Sequence, residues 1–175
     1  MILLCDTRQQ ANKHKMKDAW FEQNGIEVRR TKLYVGDYTL PADQSVCVDT
    51  KNSIDELAQD VCSKSQHERF RNELLRSQEA GIQLYILVEN ESFTIRGKNV
   101  ESPYISRLED LHKWINPRLW IRKNGRQVYP NATRGITLQK ACYTMQKKYG
   151  VEFVFCTPQD AGAKIIELLG GNQDG

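Results

Sequence analysis

Apolar residues in this chain fall into short blocks separated by polar turns, and the period of each block predicts an element. Residues 2–5 (Ile-Leu-Leu-Cys) read as a short buried strand ending at Asp6. Residues 12–24 carry Met16, Ala19 and Trp20 at helical spacing, which predicts a helix with that face inward and Gly25 as its stop. Residues 26–33 alternate and predict a strand. Gly36-Asp37 reads as a turn, and residues 38–40 and 45–51 as further strand. Ser53-Ile-Asp-Glu56 and Ser65-Gln-His-Glu68 both fit the S-x-x-E capping box, in which side chains satisfy the first free amides of a helix. The second of these helices carries Phe70 and Leu74 at i, i+4 and ends at Gly81. Residues 82–88 (Ile-Gln-Leu-Tyr-Ile-Leu-Val) form a nearly continuous apolar run, the pattern of a strand covered on both faces.

Beyond residue 90 the signals are more widely spaced. Ser102-Pro103 predicts a helix start running to residue 115. Asn124-Gly125, between Trp120-Ile-Arg-Lys123 and Arg126-Gln-Val-Tyr129, predicts a tight hairpin. Residues 137–149 read as a helix closed by Gly150, and residues 151–156 as an apolar strand. Thr157-Pro158 reads as an N-cap and first-turn proline opening a helix to residue 169, and residues 170–175 as a polar tail. Alternation of strands and helices around apolar strands predicts an α/β fold with a central mixed β-sheet flanked by helices. The 175 residues suit one domain spanning 1–175, with a basic helix/hairpin insertion at about 90–135.

Composition narrows the class. Hydrophobic residues make up 39% and charged residues 27%, enough for a packed core and against global disorder. No apolar run approaches the ~18–20 residues that span a bilayer. The opening residues lack a basic n-region, so neither a membrane span nor a secretory signal is expected. The 5 cysteines are odd in number and include no C-x-x-C, which argues against a zinc site or a disulfide framework. Cys5, Cys47 and Cys156 read as buried thiols, and a reducing, intracellular location is expected.

The net charge of +3 is less informative than its distribution. Between residues 111 and 151 there is no Asp or Glu, but nine cations: Lys113, Arg118, Arg122, Lys123, Arg126, Arg134, Lys140, Lys147 and Lys148. The other 16 of the 25 basic residues share the rest of the chain with all 22 acids, a balance of −6. Trp114, Trp120, Tyr129, Tyr143 and Tyr149 are interleaved with the cations. Two readings follow. One is a nucleic-acid surface, with cations on phosphates and aromatics on unpaired bases; the other is a solvated face with core aromatics.

Three acids, Asp6, Asp37 and Asp49, stand at strand ends or turns, and Lys51 follows Asp49 by two. In an extended strand i and i+2 share a face, so Asp49 and Lys51 point one way and Thr50 the other. Phosphodiester hydrolysis uses such a set. Carboxylate oxygens hold a hard divalent ion, the ion lowers the pKa of bound water, and a lysine orients that water or steadies the phosphate. The 3 histidines, His14, His67 and His112, offer no metal-spaced pair. A lone D-x-K is common, and surface Asp–Lys neighbours usually do nothing.

The order of motifs adds what the single motif lacks. Asp6-Thr-Arg8-Gln9 is followed by a helix, then a strand into Gly36-Asp37-Tyr38. Asp49-Thr50-Lys51 comes eleven intervening residues after Asp37, and Asn-Ser-Ile-Asp55-Glu-Leu57 follows it. Then come a helix with Arg69-Phe70 and the strand ending at Glu89. This series resembles the nuclease domain of the XPF-type structure-specific endonucleases, of the restriction-endonuclease-like PD-(D/E)XK superfamily, whose motifs read D-x-R-E, G-D and E-R-K-x-x-x-D-L. The resemblance runs from residue 2 to 89 and resumes more weakly over 150–169.

It implies a restriction-endonuclease-like fold. It also implies a Mg²⁺-dependent endonuclease, with Mn²⁺ as substitute, cutting branched, flap or junction DNA to leave a 5′-phosphate and a 3′-hydroxyl. Asp37 and Asp49 would be metal ligands, Asp6 would lie in or near the metal shell with Arg8 beside it, and Lys51 would be the catalytic lysine. Arg69 would approach the scissile phosphate, or be an exposed helix cation. Asp55 would match the later acid of the third motif, or simply favour the helix dipole. Glu89 reads as support for the ligands or as structural. DNA would be the partner, with Lys113, Arg118, Arg122, Lys123, Arg126 and Arg134 on its backbone, and family analogy adds a homodimer or a partner subunit.

Two substitutions depart from the pattern: Gln9 stands for the glutamate of D-x-R-E, and Thr50 for the arginine of E-R-K. Only six residues follow Leu169, so the paired helix-hairpin-helix module common in the family is not expected. These departures support an alternative, a catalytically inactive DNA-binding or scaffold module on the same fold.

Overall fold

The computed structural model describes residues 1–170, so the expected polar tail lies, from residue 171, outside the described residues. The chain runs β1 (Ile2–Asp6), a 3-10 turn (Ala11–Lys13), α1 (Lys15–Gln23), β2 (Glu27–Thr31), β3 (Tyr38–Thr39), β4 (Val46–Lys51), α2 (Ile54–Cys62), α3 (Lys64–Glu79) and β5 (Gln83–Glu89). The insertion follows, with β6 (Phe93–Thr94), β7 (Glu101–Ser102), 3-10 turns at Leu108–Lys113 and Pro117–Trp120, β8 (Arg122–Lys123) and β9 (Arg126–Gln127). The chain closes with α4 (Gly135–Tyr149), β10 (Glu152–Cys156) and α5 (Ala161–Leu168).

Six strands form one mixed sheet in the order β10-β5-β4-β3-β1-β2, as the α/β reading predicts. β10, β5 and β4 are parallel, β3 is antiparallel to both β4 and β1, and β2 is parallel to β1. This register brings the ends of β1, β4 and β5 and the start of β3 to one edge. Asp6, Asp37, Asp49, Lys51 and Glu89 are therefore gathered there, at the carboxyl ends of the parallel strands where α/β sheets present their ligand crevices.

Strand alternation divides the core into two layers. Cys47, Leu84, Ile86 and Val88 face α2, α3 and α4, with Leu57, Phe70, Leu74, Leu138 and Cys142. Val48 and Leu87 face α1 and α5, with Phe21, Tyr38 and Ile165. Cys5, Cys47, Cys142 and Cys156 are buried free thiols, and Cys62 is an exposed one. No helix among the described residues is long and apolar enough to cross a membrane.

Four local expectations are corrected. The inward face of α1 is not Met16 and Ala19, both of which are exposed. Lys17 and Phe21 are buried instead, because the Lys17 ammonium pairs with Glu89 at the end of β5. Ser53 caps α2 as expected, its Oγ accepting from the Glu56 N–H at 3.0 Å, but α3 is capped by Ser63 rather than Ser65. A single residue separates α2 from α3, so it serves as the end of one and the cap of the other. No α-helix covers 102–115. Ser102 precedes a proline and is biased to extended backbone, so it pairs with β6, and only a 3-10 turn follows. Finally, α5 begins at Ala161, one turn after Thr157-Pro158.

The insertion is only partly peripheral. Ile105, Leu108, Leu111 and Trp114 belong to the layer beneath α4, whereas the Asn124-Gly125 hairpin turns outward. Because Ser53 sets where α2 begins, Ser53→Ala is expected to cost about 1 kcal/mol. A urea titration checks this as a lower midpoint at unchanged slope.

Candidate active site

Gly36 brings Asp37 to the sheet edge. Its φ of +71° is a left-handed conformation, and a Cβ there would lie 3.1 Å from Cys47 Cβ and 3.1 Å from the Val48 carbonyl oxygen. Its N–H donates to Glu73 Oε1 at 2.9 Å, tying the turn to α3. The Asp37 amide then donates to the Val48 carbonyl, and the Asp6 amide to the Asp37 carbonyl, both at 2.8 Å. The three motif segments are thus joined by backbone hydrogen bonds.

Asp49 and Lys51 share the face that meets α2 and α3. Lys51 Nζ lies 2.8 Å from Asp49 Oδ2 and 2.7 Å from Asp60 Oδ2, and 4.9 Å from the centre of the Phe70 ring. Burial alone would lower the lysine pKa, but the two carboxylates outweigh it and raise it above its ordinary value. The two carboxylates thus favour the ammonium form, which suits a donor rather than a base. Asp49 Oδ2 is buried and, despite this ion pair, has no hydrogen-bond donor in good geometry. Burial first, and then the nearby Asp37, push the Asp49 pKa up to about 7 against the pull of Lys51.

Asp37 Oδ2 accepts from the Thr50 amide at 2.8 Å and the Thr50 hydroxyl at 2.7 Å. The Gln9 amide in turn donates to Thr50 Oγ1 at 3.3 Å. The two residues that depart from the D-x-R-E and E-R-K patterns thus touch each other, and through Thr50 they orient Asp37. Desolvation still raises the Asp37 pKa over the opposing Thr50 hydrogen bonds.

Asp6 is held by donors from Arg8, as expected, and from Leu33. Its carboxylate accepts four donors: Arg8 N–H and Arg8 Nε on one oxygen, and Arg8 Nη2 and Leu33 N–H on the other, at 2.7–2.9 Å. A carboxylate offers about four lone-pair sites, so none remains for a metal. Burial would raise its pKa, but these donors prevail and lower it. Asp6 and Arg8 together fix the chain that bears Gln9.

The expected Arg69 and two residues that the sequence reading did not name, Glu73 and Arg76, complete the cleft, which encloses about 360 Å³ between β1, β4 and α3. Arg69, Glu73 and Arg76 all line it and follow i, i+4, i+7 on α3, one face of a helix. That polar stripe beside the buried Phe70, Leu74 and Ser77 was the available signal. Burial, and then Asp49, raise the Glu73 pKa. Asp60, buried in α2 among Leu57, Ala58 and Val61, had a weaker signal: an acid at the margin of an apolar helix face.

The other expected residues lie elsewhere. Asp55 pairs with Arg118 at 3.1 Å, away from the cleft, and Glu89 pairs with Lys17. Lys113 pairs with Asp110 at 2.7 Å, and Arg134 is an exposed residue at the N-cap position of α4, with no side-chain hydrogen bond to the helix. Among the described residues no three His, Cys, Asp or Glu side chains form a metal-holding group, so the expected three-aspartate centre is not formed. A two-carboxylate site remains. Mg²⁺ commonly uses one or two carboxylates and keeps its waters, and Asp37 and Asp49, which line one cleft, fit that requirement.

Comparison with known proteins agrees with this architecture. No curated protein matches the chain. The solved structure of XPF from Aeropyrum pernix matches with a TM-score of 0.59 at 18% identity, covering 98% of this chain and 66% of that one. The structure of XPF from Aeropyrum pernix in complex with DNA matches with a TM-score of 0.58, also at 18% identity, covering 97% of this chain and 63% of that one. The likeness is one of fold, and this chain spans under two thirds of the length of either structure. A family model for the ERCC4 domain matches residues 5–169, and with that match the chain belongs to the ERCC4 domain family.

Proposed function

We propose that this chain is a structure-specific DNA endonuclease that uses Mg²⁺, or Mn²⁺ in its place, to hydrolyse a phosphodiester in branched, flap or junction DNA. The observation that carries this reading is the Lys51 ammonium held between Asp49 and Asp60, beside Asp37, at the carboxyl edge of the sheet of an ERCC4 domain. Asp37 and Asp49 would hold the ion, which when bound supplies an acidified water and neutralises charge developing on phosphorus. Lys51, kept in its ammonium form by Asp49 and Asp60, donates to a phosphate oxygen or aims the attacking water. Arg69 and Arg76, with Lys13 at the opposite rim, line the same cleft and suit the flanking phosphates. Water adds to phosphorus as the bond to the 3′-oxygen breaks, leaving a 5′-phosphate and a 3′-hydroxyl. Such an enzyme would work in a DNA-containing compartment, in repair or recombination, alone or with a second copy or partner subunit.

The test is incubation with fork, flap, junction and linear DNA plus Mg²⁺ or Mn²⁺. Cleavage of branched over linear substrates supports the reading. Among the described residues no three acidic, His or Cys side chains are grouped to hold a metal, which favours the second reading, an inactive DNA-binding or scaffold module.

Thermal unfolding separates the two readings without any substrate. The folded-state pKa of Asp49 lies above the unfolded value, so between about pH 4 and 7 the native state holds more protons than the unfolded one. Its contribution to stability therefore falls as pH rises through that window, by up to ~1.4 kcal/mol per pH unit, and is flat above it. Asp49→Asn is expected to remove that slope. Mn²⁺ is expected to raise the melting temperature of the parent at pH 7.5, and less at pH 5, because ligands bind metal only when deprotonated. A metal-independent melting temperature at both pH values points to the inactive module.

A further inference from the structure

Three exposed cations and two exposed aromatics of the acid-free tract lie together on one projecting element, the others lying mostly on α4. In the β8–β9 hairpin Arg122 faces Gln127 and Lys123 faces Arg126, and the Val128 N–H extends the ladder by donating to the Ile121 carbonyl at 2.9 Å. Asn124 and Gly125, with φ of 50° and 73°, make the tight turn. Trp120, Ile121, Val128 and Tyr129 are 37–46% exposed at its base, an unusual set of large side chains to leave in water. Arg122, Lys123 and Arg126 are exposed, and no ion pair among the described residues includes them. Like charges placed directly opposite on paired strands repel, as Lys123 and Arg126 do here. No ion pair among the described residues offsets that repulsion; a polyanion would.

The hairpin is also tied to α2, the helix that follows Lys51. Arg118, at its base, pairs with Asp55 in the first turn of α2, four residues after Lys51, and its guanidinium lies 5.6 Å from the centre of the Tyr129 ring. A groove of about 400 Å³, lined by Asp55, Gln59, Arg118, Val128 and Tyr129 among others, runs between the hairpin and α2. In a duplex the base faces are covered by neighbouring bases, so aromatic side chains at a nucleic-acid surface find partners only on unpaired strands.

We propose that the hairpin, with the groove between it and α2, binds a single-stranded DNA arm, bases stacking on Trp120 and Tyr129 and phosphates meeting Arg122, Lys123 and Arg126. The inference rests on the nuclease reading for its role in substrate choice, but the binding itself does not require cleavage.

The test is fluorescence anisotropy with the full chain in EDTA, using a labelled oligo-dT and a blunt duplex of equal length. The parent is expected to prefer oligo-dT. Trp120→Ala and Tyr129→Ala should each weaken oligo-dT binding about 5–150-fold, the range for losing one stacked base, with little effect on duplex. Reversing Arg122, Lys123 and Arg126 to glutamate should flatten the salt dependence by about 0.7 in log–log slope for each phosphate no longer neutralised. All five side chains are exposed, so folding is not at stake. Unchanged oligo-dT binding in the aromatic variants overturns the proposal. So does a preference for duplex, or displacement of oligo-dT by poly-glutamate as readily as by unlabelled oligo-dT, which would mark an acidic protein partner. A parent that binds oligo-dT through the hairpin yet cuts no branched DNA overturns the nuclease reading alone. A parent that cuts branched DNA but binds oligo-dT independently of the hairpin overturns this inference alone.

Discussion

Lys51→Ala is expected to slow strand cleavage by roughly 10²–10³-fold, the usual effect of removing one preorganised donor from a site where charge develops. The effect should fall on the single-turnover rate on fork DNA more than on KM, because the ammonium acts on the transition state. Alanine also leaves Asp49 and Asp60 as buried carboxylates without their shared cation, so stability falls with activity. Lys51→Met combined with Asp60→Asn separates the two effects: the neutral pair should regain much of the lost stability and none of the cleavage. Cleavage within about threefold of the parent in the stable double variant would remove Lys51 from the proposed chemistry, 1.4 kcal/mol being a factor of ten in rate.

Glu89→Gln is expected to destabilise the chain by about 3–5 kcal/mol, the cost of breaking a buried ion pair from one side. Both partners are nearly inaccessible, with the Lys17 side chain 2% and the Glu89 side chain 7% exposed. Glutamine would leave an ammonium facing the core with only a neutral acceptor. Lys17→Met together with Glu89→Gln should recover most of the loss, since no charge is then left behind. Guanidinium titrations of the parent, the two single variants and the double variant complete the cycle. A single-variant loss below about 1 kcal/mol, as for exposed pairs, would contradict the buried pairing.

Both predictions depend on charges held where water cannot solvate them. Asp37, Asp49 and Glu73 all have raised pKa values with burial as the leading cause, while Lys51 is the buried cation paired among them. Such a cluster opposes folding and is poised for a cation or a phosphate, an arrangement expected where function and stability compete.

Much of the architecture was legible in the chain. The apolar run of residues 82–88 became the interior strand β5, Gly150 closed α4, and Asn124-Gly125 made its hairpin, since each depends on neighbours within a few positions. The shared face of Asp49 and Lys51 followed from the two-residue strand period, and the ordered motifs pointed to the family that the ERCC4 match shows. The inward face of α1 was misread because Lys17 looks like a surface residue until Glu89, 72 positions later, is placed against it.

Periodicity and motif order, local properties of the chain, determined the strands, the helices and the acid–lysine pair. Tertiary structure alone decided that Asp6 is saturated by Arg8 and Leu33, that Glu73 and Asp60 supply the additional acids near Asp49 and Lys51, and that Gln9 and Thr50 work together on Asp37. The reason is physical: a charged group's partner is whatever packing brings within about 3 Å, and that depends on how helices and turns dock on the sheet rather than on spacing along the chain.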